Sequence, residues 1–160
     1  MDAGTTAVIS GAPMKTLWST LLNLTFAVWW GGLTFYSVFV VPMGTAQIGT
    51  TEQGFITQHV TWWHNIILVV MVGLLAIEAW RERHRWLWAL VAILSIVATL
   101  LFFQHSKLTN LMDFEGHHVQ GTFYGQHALY LWLTAAEWAV GIALVLLQVM
   151  NNSRHRTDTS

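Results

Sequence analysis

The chain has 160 residues, of which 54% are hydrophobic and only 9% charged, against roughly 25% charged in soluble domains. A soluble domain of this size cannot hide that much apolar surface, so lipid is the expected solvent. The absence of cysteine excludes disulfides, thiolate metal sites and iron–sulfur clusters; the net charge of -1 says nothing about partners, and without a basic stripe nucleic-acid binding has no support.

A helix needs about 20 apolar residues to cross a bilayer, and four segments supply them. The first runs from about Leu17 to Val41 and is expected to stop at Pro42. Gly44-Thr45-Ala46 looks like a signal-peptide cleavage site. The apolar run before it is too long for a secretory segment and only Lys15 precedes it, so it reads as a true span. A loop over about Met43–His59 is expected next. The second span runs from about Val60 to Trp80, and the third from about Trp86 to Gln104. After a loop over about His105–Thr122, the fourth runs from about Phe123 to Met150. The tail Asn151–Ser160 is short and polar. With no repeat and no linker, residues 1–160 read as one domain: an all-α integral membrane four-helix bundle.

The basic residues set the expected orientation. Lys15, Arg81, Arg83, Arg85, Arg154 and Arg156 fall on one side of this topology, and only Lys107 falls on the other. Positive charge marks the cytoplasmic side, so both termini are expected there, in a bacterial inner membrane. The ten tryptophans fit an interfacial belt.

Polar residues then point to a site. Six of the eight histidines, His59, His64, His105, His117, His118 and His127, fall on or near the outer face. Asp113, Glu115 and the histidine pair His117–His118 make either a metal-catching lid or a solvated loop. At 100° per residue, His127, Tyr130, Thr134, Glu137, Gly141 and Gln148 share one face of span four. An intramembrane polar stripe faces the bundle interior, and a carboxyl such as Glu137 is a functional candidate there. On span one the same projection groups Asn23, Ala27, Trp30, Thr34 and Ser37 beside Gly31-Gly32. Glu78 lies one turn from Arg81 and is expected to pair with it.

His64, His105 and His127 come from three helices at similar depth. Two histidines can be the axial ligands of a haem b held in a bundle, and three can hold copper or zinc. Tyr130, Thr134 and Glu137 would then form a surrounding shell or proton path. The expected function is a haem- or metal-binding membrane protein serving electron transfer or metal handling. The alternative is a non-catalytic accessory subunit of a larger membrane complex. Its partners would be lipid and either other membrane subunits or further copies of itself.

The stretch "FAVWWGGLTFYSVFVVP", Phe26 to Pro42, resembles the first helix of the CopD-like membrane superfamily. That superfamily is similar in size and four-helix architecture. It includes copper-resistance membrane domains and protoporphyrinogen oxidases. The histidine early in the first helix and the lysine after it, which those oxidases use, have no counterpart here. "GGLTFYSVFVVPMGT", "EQGFITQHVT" and "FYGQHALYLW" more closely resemble an uncharacterised family of bacterial four-helix membrane proteins. This second resemblance implies the fold and no activity.

Overall fold

The computed structural model describes residues 12–113, 115–116 and 118–157. It is an all-α bundle of four helices, Met14–Ile48, Thr50–Glu82, Arg85–Asn110 and Phe123–Met150, each long and apolar enough to span a membrane.

Span one is a composite. It comprises α1 (Ala12–Phe26), a π-helical turn (Ala27–Gly31), α2 (Gly32–Phe35), a second π-helical turn (Tyr36–Val40) and α3 (Val41–Ile48). Pro42 does not end it. Proline lacks an N–H and its ring crowds the carbonyl four residues earlier, here that of Val38. The second π turn places a wider backbone loop at that point, and the helix runs on.

The loop expected over Met43–His59 is therefore helix on both sides. α3 ends at Ile48, α4 (Thr50–Glu82) begins at Thr50, and Gly49 alone joins them with φ 87°. That left-handed backbone is open to glycine at little cost. The 33 residues of α4 extend about 50 Å at 1.5 Å per residue. That exceeds a hydrocarbon core of about 30 Å, so α4 continues past it. At the other end, α4 closes on Arg83 in a left-handed conformation, φ 51°, and α5 (Arg85–Asn110) starts two residues later.

Between α5 and α6 (Phe123–Thr157) lies a small antiparallel hairpin. Its strands β1 (Met112–Asp113) and β2 (His118–Val119) pair Met112 with Val119 and Asp113 with His118.

α5 packs between α4 and α6, and span one lies along α4. The apolar core is Trp29, Leu68, Met71, Leu75, Leu94, Val97, Leu101, Tyr130 and their neighbours. Large apolar side chains such as Trp63, Trp80, Trp86 and Trp132 point outward, as lipid-facing helices require. Two of the most buried side chains are polar, Asn65 and Glu137. In a bilayer such groups must find partners inside the protein.

Candidate functional site

Glu137 sits where three spans meet. Trp29, in the first π turn, donates its indole N–H to Glu137 Oε1 at 2.5 Å. His64 on α4 donates Nε2–H to the Trp29 carbonyl at 3.2 Å. The carbonyl can only accept, so a neutral imidazole there keeps its lone pair on Nδ1. That nitrogen lies 3.8 Å from Glu137 Oε1. Trp29 thus joins three helices, its indole bonded to Glu137 of α6 and its carbonyl to His64 of α4, with the imidazole facing the carboxyl. Nearby, the Tyr130 hydroxyl donates to Asn65 Oδ1 at 3.5 Å, and Thr134 donates to the Tyr130 carbonyl at 3.0 Å. The Asn65 Nδ2 amide is buried without a partner among the described residues.

The other two candidate histidines are held differently. His105 lies against the Trp62 ring, with centroids 5.9 Å apart. His127 stacks on Phe123 at 5.7 Å and 11° between planes. Neither imidazole hydrogen-bonds to a described residue. All three histidines line one cavity of about 600 Å³. They face a common space rather than a common point.

This arrangement corrects the expected ligand set. Metal–nitrogen bonds of about 2.0–2.1 Å demand that ligand atoms converge. Among the described residues no three His, Cys, Asp or Glu side chains are grouped closely enough to hold a metal ion. His64 already gives one nitrogen to a carbonyl and turns the other toward Glu137, while His127 stacks on Phe123 and His105 lies tilted against Trp62. The haem b, copper and zinc readings are overturned. Metal handling and electron transfer through such a centre fall with them.

The cavity is walled by all four spans. It runs from Thr45 and Thr50 beside the Gly49 joint down to Val28, Ile67 and Thr134. On α4 that is 17 residues, or about 26 Å. Exposed lining residues, among them Val28, Trp63 and Leu131, show that it opens sideways to the lipid phase. Both π turns of span one contribute to its wall, through Val28 and through Tyr36 and Ser37. π-helical turns recur at functional sites.

The opposite end of the bundle carries side-chain ties between helices beside a smaller cavity of about 240 Å³. Trp18 donates its indole N–H to Glu78 Oε2 at 2.6 Å. Arg81 reaches the same oxygen at 3.6 Å and lies 5.1 Å from the Trp18 ring centroid. Midway, Trp30 donates to the Trp138 carbonyl, stacks on the Trp138 ring and rests on Gly141. A Cβ on Gly141 would run into the Trp30 indole. In the hairpin, Asp113 Oδ1 accepts from the Glu115 and Gly116 amides, and Oδ2 lies 3.3 Å from exposed His118 Nε2. His117, the other half of the expected lid, lies outside the described residues.

Trp29 and Asn65 were not singled out by sequence. The face projected for span one grouped Asn23, Ala27, Trp30, Thr34 and Ser37, of which Trp30 and Thr34 are half-buried and the other three exposed. The buried side chains keep ordinary helical spacing through both π turns. The inward face is instead Phe26, Trp29, Leu33 and Tyr36. No family model, curated protein or solved structure matches the chain.

Proposed function

We propose that the chain is a non-catalytic accessory subunit of a larger membrane assembly, seated in a bacterial cytoplasmic membrane with both termini on the cytoplasmic side. The observation that carries the reading is the Trp29–Glu137–His64 tie. The polar residues best suited to chemistry join helices to one another instead. Two glycines on the outside of the bundle support it further. Gly31 and Gly73 are exposed, and a Cβ on either would meet nothing within 4 Å. Small residues of this kind let a neighbouring membrane helix approach closely. Lys15, Arg81, Arg83 and Arg85 share one end of the bundle, which supports the orientation through the positive-inside rule. The resemblance of span one to the CopD-like superfamily supports a place among small bacterial membrane proteins and adds no activity.

The test is isolation of the tagged protein from its native membranes in mild detergent. The expected result is comigration with a membrane partner at fixed stoichiometry, weakened by Gly73→Leu without loss of the protein's own thermal stability. Migration alone, as a monomer or as copies of itself, overturns the proposal.

A further inference from the structure

The cavity beside the Gly49 joint has properties that the subunit role does not require. Its volume of about 600 Å³ falls in the range of small-molecule sites, roughly 300–1,000 Å³. Among the described residues, no Lys, Arg, Asp or Glu lines it. A charged headgroup would therefore enter without a counter-charge, at high cost in a low-dielectric site. The walls are predominantly apolar, and the side opening faces lipid, so the occupant can reach it from the bilayer. Against that background stand two imidazoles, His105 and His127, fixed by ring contacts and free of hydrogen bonds to described residues. A neutral imidazole offers one donor and one acceptor. Half-buried polar groups of this kind are ordinarily paired.

We propose that this cavity binds a neutral, tail-bearing amphiphile with a flat ring carrying carbonyl or hydroxyl groups, the chemical class of isoprenoid quinones and quinols. The ring lies among Tyr36, Phe123 and Tyr130, all of which line the cavity. Its oxygens take hydrogen bonds from His105 and His127. The tail leaves past Val28 and Leu131 into the lipid. The proposal concerns binding alone and invokes no redox step.

Three features single out this occupant. A phospholipid would bring an anionic phosphate to a rim of Thr45, Thr50 and Gln53 that offers no cation. A bare hydrocarbon chain would leave both imidazoles unsatisfied. A partner helix would cover the side opening, yet it would need polar side chains aimed at both histidines.

The test uses the full chain in phosphatidylcholine nanodiscs and a decyl-substituted benzoquinone as probe. The readout is quenching of tryptophan fluorescence, with Trp63 on the cavity wall as reporter. Saturable quenching is expected. His105→Leu and His127→Leu should each raise the Kd about tenfold, the worth of one hydrogen bond. Gly32 lines the cavity, and a Cβ there meets nothing within 4 Å. Gly32→Leu should therefore narrow the site and raise the Kd well above that of wild type while the thermal transition stays in place. This variant keeps the test decisive even if a histidine substitution impairs folding. Quenching that rises linearly with probe and is equal in wild type and Gly32→Leu overturns the proposal. So does a copurifying phospholipid in the cavity that the quinone fails to displace.

Discussion

The two ends of this bundle use polar side chains differently. Toward the Arg83 turn and through the middle, indoles, carboxyls and an imidazole tie spans one, two and four together: Trp18 with Glu78, Trp30 with Trp138, and Trp29 and His64 with Glu137. Toward the Gly49 joint, His105 and His127 rest on aromatic rings at the wall of an open cavity. In lipid, polar groups are costly wherever they are placed. The first end offsets that cost with contacts between helices; the second does so through Gln104, which donates to Gln126 across α5 and α6, while two imidazoles stay at the cavity wall. Residue type alone does not separate these roles, since both ends use histidine and aromatic rings.

Substitutions can break this contrast, and glycine offers the largest effect. Gly141→Val drives a side chain into the Trp30 indole. Overpacking of a close contact costs about 1–3 kcal/mol, so thermal unfolding in detergent should move down clearly. Gly32→Leu, in the cavity half, should stay within about 0.5 kcal/mol of wild type, as substitutions into open space usually do. Equal losses for the two would erase the contrast.

Removal of an interhelical partner comes next. Glu137→Leu leaves the Trp29 indole N–H buried without an acceptor. An unsatisfied buried donor costs about 1–3 kcal/mol, although measured hydrogen bonds in membrane proteins average nearer 0.6 kcal/mol. The expected loss is about 1 kcal/mol, read from unfolding in SDS against mild detergent. His64→Leu should follow it at a smaller magnitude, and His127→Leu should change stability by less than about 0.5 kcal/mol. A His127→Leu loss as large as that of His64→Leu would place His127 among the structural ties.

The smallest effect belongs to the Arg83 end. Trp18→Phe removes the bond to Glu78 and weakens the stacking of Arg81. Glu78 and Arg81 are partly exposed, and pairs of that kind contribute about 0–1 kcal/mol. A shift of a few tenths is expected in the same unfolding measurement, diminished further by salt.

Much of the fold was legible because lipid demands it. Long runs free of Lys and Arg, with 54% hydrophobic composition, leave few alternatives to membrane-length helices. One error arose where backbone departs from a regular α-helix. Pro42 reads as a stop only if no wider turn precedes it, and the π turn Tyr36–Val40 does so. On span one Trp29 was passed over, because aromatic residues fall on several of its faces and do not mark which one is buried. On span four, which holds regular α geometry from Phe123 onward, the polar stripe through Tyr130 and Glu137 does face inward, both being buried.

The histidine site failed for a different reason. Residue spacing gives the helix face of His64, His105 and His127, but not whether their nitrogens converge or what already occupies them. The Trp29 carbonyl holds His64, while Trp62 and Phe123 lie against the other two rings. Only the Phe123–His127 contact is local, four residues apart on α6, and so open to reading from the sequence; the other two join different helices and have no sequence signature.

The central claim is that Glu137 serves as a tie between helices. A double-mutant cycle between Trp29→Phe and Glu137→Leu tests it most directly, because the cycle isolates the pair from the separate effect of each change. The account predicts a coupling of about 0.5–1 kcal/mol or more in the unfolding free energy. Additive losses, with no coupling beyond about 0.3 kcal/mol, would contradict it.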